Sequence, residues 1–163
     1  MKGTDITMKT LIVYATKYGA AGEVARRIAD RIGGAALHKL GEGAVPSPSE
    51  FDCVIIGSPL YAGMIRKEAK AFQANYADAL KGKTIGLFLC GIDENAGAQC
   101  FEANFEPDIL QAAKAHAVLG GIFDPKKANF FERFIMRAIA KHSAYINTIN
   151  NDKINRFAED MRE

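Results

Sequence analysis

The stretch from Thr10 to Ile32, TLIVYATKYGAAGEVARRIADRI, limits the possible folds more than any other part of the chain. Leu11, Ile12, Val13 and Tyr14 form a short continuous apolar run, the pattern of a strand buried on both faces of a parallel sheet. A tight loop, Ala15 to Ala21, then leads into an amphipathic helix. Val24, Ala25, Ile28, Ala29 and Ile32 share one side of it, and Glu23, Arg26, Arg27, Asp30 and Arg31 share the other. A hydroxyl at Thr16, a glycine at Gly19 and a helix start directly after a strand suit a phosphate. The unpaired N–H groups and the positive end of the helix dipole both point at the anion. The loop lacks the Gly-Lys-Ser/Thr of a Walker A and the Gly-x-Gly-x-x-Gly of a dinucleotide site. Taken alone, the stretch reads equally well as an ordinary strand-to-helix turn.

The same unit recurs along the chain. Cys53 to Gly57, Thr84 to Cys90 and Ala115 to Gly121 read as further strands, and Ala35 to Leu40 reads as a weaker strand at an edge. Between them the spacing predicts helices over 66–80, 99–113 (interrupted by Pro107), 129–143 and 152–161, with a Gly/Pro/Ser loop over 41–50. Strands alternating with helices imply right-handed crossovers and an open parallel sheet with helices on both faces. Ligands of such sheets bind outside the carboxyl ends of the strands. Three loops leave those ends here, at 15–21, 58–64 and 90–97, and all three carry glycine. The second holds Tyr61, which can stack on a flat ring or stand as an ordinary half-exposed loop tyrosine.

At 163 residues the chain is expected to form one domain over 8–163, preceded by a patternless tail over 1–7; Met8-Lys9-Thr10 reads as a second start. A net charge of +2 offers no field for nucleic acid. Cys53, Cys90 and Cys100 are odd in number and lack metal-ligand spacing, and two of them fall in apolar runs, so reduced thiols and a cytoplasmic location are expected. His38, His116 and His142 form no ligand cluster, and no Ser/His/Asp set or carboxylate pair is visible. Neither a metal nor a catalytic side chain is therefore expected, which leaves any redox chemistry to a cofactor.

With these loops in hand, the chain resembles the flavodoxin family from about Met8 to its end. The family's first loop commonly reads Thr-x-x-Gly-x-Thr, and here it is Thr16-Lys17-Tyr18-Gly19-Ala20-Ala21, with Ala21 in place of the last hydroxyl residue. One hydrogen bond lost this way is worth about 1 kcal/mol, or somewhat more if charge-assisted. The resemblance implies a doubly wound five-stranded parallel α/β sheet in the order 2-1-3-4-5, with FMN as cofactor. By the same resemblance, Thr16 to Ala21 hold the phosphate, and the other two loops contribute Ser58, Pro59, Leu60, Tyr61, Ala62 and Gly63, with Cys90, Gly91, Ile92 and Asp93. Gly57 to Gly63, Leu119-Gly120-Gly121 and the segment Phe130 to Met136 are similar to the branch that contains the menaquinone-dependent protoporphyrinogen oxidases, which inserts a helix before the last one. Loop 91–97 and the segment after it are shorter than in those oxidases.

Three alternatives stay open. The branch resemblance implies an oxidoreductase passing electrons from a small organic substrate to a quinone. A soluble carrier with a protein redox partner, or a relative without FMN, are the others. Carriers of this family tend to be strongly acidic, unlike this chain. Asp93 and Glu94 either lie beside the flavin, lowering its reduction potential, or cap a solvated loop. In helix 129–143 the face Phe130, Phe131, Phe134, Ile135, Ala138 and Ile139 is flanked by Arg133, Arg137 and Lys141. That helix either packs on the chain's own sheet or makes peripheral contact with the inner face of the membrane. Lys17 is expected to face solvent and to add weak attraction for the phosphate.

Overall fold

The computed structural model describes residues 8–92, 97–129, 132–134, 137 and 145–163. Its main sheet contains β1 (Thr10–Tyr14), β2 (Ala36–Lys39), β3 (Cys53–Tyr61), β4 (Met64–Ile65), β5 (Thr84–Cys90) and β6 (Ala113–Val118). The order is β2-β1-β3-β5-β6, all neighbours parallel, with β4 folded back antiparallel on β3. With the short β4 set aside, this is the expected 2-1-3-4-5 order. A separate antiparallel pair joins β7 (Ile122–Phe123) to β8 (Ile146–Asn147).

Because successive side chains of a strand point to opposite faces, each buried strand feeds two cores. Ile12, Cys53, Ile55 and Phe88 meet α1 (Ala20–Ile32) and α6 (Asn151–Arg162) on one face, through Val24, Ala25, Ile28, Ile154, Phe157 and Met161. Leu11, Val13, Val54, Ile56, Leu87 and Leu89 face the other way. There they meet α2 (Lys67–Asn75), α3 (Ala77–Leu80), α4 (Gly97–Asn104) and α5 (Pro107–Ala112), through Ala69, Phe72, Leu80, Phe101 and Ile109. Each fully buried Leu or Ile contributes about 1.5–3 kcal/mol through apolar area removed from water. Gly57 is fixed by this packing: a Cβ there would stand 2.0 Å from Cζ of Phe88, its neighbour across the β3–β5 ladder.

Several predicted boundaries move, each for a local reason. The helix expected over 66–80 is two helices, broken at Tyr76 where φ is −113° and ψ 20°. The helix over 99–113 breaks before Pro107, which has no N–H and opens α5 at its first turn; Glu106 before it is extended. The last long strand runs over Ala113–Val118 and leaves Leu119 to Gly121 outside it. The largest correction falls on 58–64, expected as a loop. β3 continues through Tyr61, and only Ala62 and Gly63 turn the chain into β4. Pro59 is admitted because it lies at the end of the ladder, opposite Cys90.

Of the helix predicted over 129–143, Glu132, Arg133, Phe134 and Arg137 are helical, and its other residues lie outside the described ones apart from Asn129, which precedes the helix. The expected tail over 1–7 lies outside them too. Among the described residues no helix is long and apolar enough to cross a membrane.

Candidate functional site

β1, β3 and β5 lie side by side with their carboxyl ends toward one edge of the sheet, so the chain segments that leave them converge. β1 passes into α1 through a turn closed by two hydrogen bonds. The Gly19 N–H donates to Oγ1 of Thr16 at 2.9 Å, and the Glu23 N–H donates to the Gly19 carbonyl at 3.0 Å. Gly19 has φ 98° and ψ −9°, a left-handed conformation that costs a residue with a Cβ but not glycine. The amides of Ala20, Ala21 and Gly22 precede the first bond of α1 and have no carbonyl one turn back, so they are free to face an anion. Ala21 is fully buried among the core residues under α1. Its side chain is a packing group, and the backbone carries what the loop offers a phosphate.

The second segment is the β3–β4 hairpin. Its two turn residues, Ala62 at φ 50° and Gly63 at φ 77°, are both left-handed, as a two-residue type I′ hairpin turn requires. Tyr61 closes β3 opposite Met64 and is half-buried. Ser58 is buried, and its hydroxyl accepts from the Arg66 N–H at 3.0 Å and donates to the Pro59 carbonyl at 2.9 Å, so it braces the base of the hairpin. Leu60 reaches the third segment, with its Cδ1 3.5 Å from where a Cβ of Gly91 would stand. The Gly91 N–H in turn donates to the Gly120 carbonyl at 3.2 Å. Cys90 is buried, which pushes its thiol up to about 12 and keeps it protonated. Ile92 is half-buried, and Asp93 and Glu94 lie outside the described residues.

The first two segments meet through aromatic rings and one ammonium. Tyr18 and Tyr61 stand edge to face with ring centroids 6.4 Å apart. Nζ of Lys17 lies 5.2 Å from each ring centroid, within cation–π range. Lys17 is exposed, as expected, and its ammonium also pairs with the Glu132 carboxylate, to which the Tyr18 hydroxyl donates as well. Glu132 therefore ties the segment after β7 to the phosphate-type loop. Its sequence signal, Asn129 three residues earlier, marks only a helix start; the Asn129 Oδ1 accepts from the Glu132 N–H at 2.8 Å. Nothing local could announce a partner more than a hundred positions away.

The ionisation of this cluster follows from its contacts. Burial pushes the Glu132 carboxyl up, but the hydrogen bonds from Lys17 and Tyr18 outweigh it and leave it below the ordinary carboxylate range. The Glu132 hydrogen bond holds the Lys17 ammonium above its ordinary value. Burial first, then Glu132, raises the Tyr18 phenol, and burial raises Tyr61 strongly. Both tyrosines keep their protons at neutral pH. Among the described residues no group of three His, Cys, Asp or Glu side chains is arranged to hold a metal.

The family model of the flavodoxin domain matches residues 11–148. No curated protein matches the sequence. Several solved structures share the fold. A short-chain flavodoxin associated with a non-canonical PDU bacterial microcompartment is 18% identical, with a TM-score of 0.60, covering 94% of this chain and 97% of that one. A flavodoxin from Streptococcus pneumoniae TIGR4 is 17% identical, with a TM-score of 0.54 and coverage of 93% and 96%. A flavoprotein in complex with FMN from Lactobacillus acidophilus NCFM is 18% identical, with a TM-score of 0.50, covering 70% of this chain and 91% of that one.

The Glu132 pair carries a testable pH dependence. A carboxyl depressed by folding stabilises above its unfolded value, near 4.5, and that contribution is lost as pH falls through the lower folded value. The raised Lys17 contributes fully below its unfolded value of 10.5 and loses its share as pH rises through the folded one. Glu132→Gln is therefore expected to lower the unfolding free energy at pH 7 by up to about 1 kcal/mol, as for a partly exposed pair. The difference from wild type should vanish in acid. Thermal unfolding at pH 7 and pH 3 checks this, and a difference of equal size at both would contradict the electrostatic account.

Proposed function

The chain belongs to the flavodoxin domain family, and on that premise we propose that it is an FMN-binding redox protein. The observation that carries this reading is the turn at Thr16 to Gly22, whose free amides lie next to a ring-bearing hairpin. The Lactobacillus acidophilus neighbour, a complex with FMN, supports the choice of flavin. When bound, FMN supplies one- and two-electron chemistry at its ring system.

The chain's residues supply the rest. The amides of Ala20, Ala21 and Gly22, beside the positive end of α1, bind the phosphate, and the Lys17 ammonium adds attraction. One such helix start serves one phosphate, which favours FMN over a dinucleotide. Tyr61 and Tyr18 offer flat apolar area to the ring, while Leu60 and the buried end of β5 exclude water from one side. Both phenols stay protonated and uncharged beside the ring. The Cys90 thiol, held up at about 12, is no nucleophile at neutral pH.

A finer reading has one observation in its favour: an oxidoreductase that passes electrons from an organic substrate to a quinone. The segment that Glu132 ties to the cofactor loop also carries Phe134, which is 61% exposed, with Arg133 and Arg137 exposed beside it. An exposed apolar ring flanked by cations, on the segment whose Glu132 reaches the first loop, suits an apolar electron acceptor at an anionic membrane surface.

Two outcomes are expected. Gly19→Val forces a β-branched residue into φ 98°, and spectrophotometric titration should show FMN binding weakened at least a hundredfold or so; unchanged affinity would overturn the proposed site. For the finer reading, replacing Arg133, Arg137 and Lys141 by glutamine should lower partitioning onto anionic liposomes on the order of a hundredfold, at about 1 kcal/mol for each basic residue. Absence of wild-type binding at low salt would remove the membrane contact.

A further inference from the structure

The hairpin that carries Tyr61 is too small to hold itself in place. It contains two cross-strand pairs, Leu60 with Ile65 and Tyr61 with Met64, and an isolated ribbon of that size is not stable in water. Its turn also places Ala62, a residue with a Cβ, at φ 50°, which adds a small conformational cost. Something outside the ribbon must fix it.

That group is Asn104, at the end of α4. It is 5% exposed, and its amide is fully engaged. Oδ1 accepts from the Ile65 N–H at 2.9 Å, on the β4 side of the turn. Nδ2 donates to the Gly63 carbonyl at 2.8 Å, inside the turn, and to the Cys100 carbonyl at 2.7 Å, one helical turn back in α4. Its own carbonyl accepts from Nε2 of the buried Gln73 at 2.8 Å, and Oε1 of Gln73 accepts from the Glu106 N–H at 3.0 Å. A planar amide thus grips the hairpin at two backbone points, and a second buried amide holds the helix end that presents it. A buried polar network with every member satisfied specifies one geometry, because any shift leaves a buried donor or acceptor unpaired.

We propose that Asn104, held by Gln73, is the positioning residue that sets Tyr61 for stacking on the flavin ring. This rests on the FMN reading above. Asn104 lies on the α2–α5 side of the sheet, away from the phosphate turn at the start of α1, so it acts at the ring end alone. Its side-chain hydrogen bonds to the hairpin go to the backbone of residues 63 and 65, and it acts through them.

The test measures affinity for FMN and for riboflavin, by fluorescence quenching, in the wild type, Tyr61→Leu, Asn104→Leu and the double variant. Asn104→Leu keeps the volume and removes all three amide bonds. It should weaken both ligands by the same factor, about tenfold, since the buried Ile65 N–H and the Gly63 carbonyl lose their partner. The ratio of FMN to riboflavin affinity should stay as in wild type, because the phosphate end is intact. In the Tyr61→Leu background the Asn104 change should have little further effect, since a residue that acts through Tyr61 has nothing left to position. Additive losses, or a collapse of the FMN-to-riboflavin ratio, would show general damage and overturn the proposal. If Asn104→Leu does not fold, Asn104→Asp is judged by the same criteria; it keeps the bond from Ile65 and loses the donations to Gly63 and Cys100. If Tyr61→Leu alone leaves both affinities unchanged, the stacking role of Tyr61 fails. If Tyr61→Leu weakens binding and Asn104→Leu does not, the positioning role alone fails.

Discussion

The left-handed turn at Gly19 governs the geometry of the carboxyl end of the sheet. It lets the chain pass from Tyr14 in β1 to Ala20 in α1 through five residues while the first amides of the helix stay free. A longer or looser passage would separate the helix start from the strand, and the amides would no longer converge with the segments leaving β3 and β5. The turn is held by the Gly19 N–H bond to Thr16 and anchored by α1 itself, whose apolar side is sealed against the sheet and α6. Rigid packing on one face thus presents a polar edge of backbone amides on the other.

The two ends of the site are built on different principles. At the proposed phosphate end the backbone is the group on offer, and the side chain at position 21 belongs to the core. At the ring end a short ribbon presents Tyr61, and its geometry comes from outside, through Ser58 at the base and Asn104 at the turn. Glu132 joins the two by engaging both Lys17 and Tyr18. The pair is electrically balanced, one ammonium against one carboxylate, so a phosphate bound as proposed would compete with Glu132 for Lys17 and would not compete for the amides.

Much of this was legible in the sequence because it rests on local pattern. Continuous apolar runs at Leu11–Tyr14, Cys53–Gly57 and Thr84–Cys90 mark strands buried on both faces. The helical spacing of Val24, Ile28 and Ile32, and of Ile154, Phe157 and Met161, marks the helices that cover them. The strand order came through family resemblance, since no local pattern encodes which strands are neighbours. The hairpin was not legible: Pro59 and Gly63 read as loop residues, and it is the β5 ladder as far as Pro59, then the pairing with β4, that keeps the chain extended to Tyr61. Ala62 in a left-handed turn position breaks the residue preference that would have signalled a hairpin. Asn104 reads as an unremarked polar residue near a proline, and Lys17 as a solvated cation. Their roles depend on partners 39 to 115 positions away, which spacing cannot express.

The central claim is that a helix start at residues 20–22 selects a flavin by its phosphate. Isothermal titration of the flavin-free protein with FMN and with riboflavin, at one salt concentration, tests it most directly. Several charge-assisted bonds to a phosphate exist for the first ligand and not for the second. The account predicts that FMN binds on the order of a hundredfold more tightly, or better, with the advantage shrinking as salt is raised. Equal affinity for the two would contradict it.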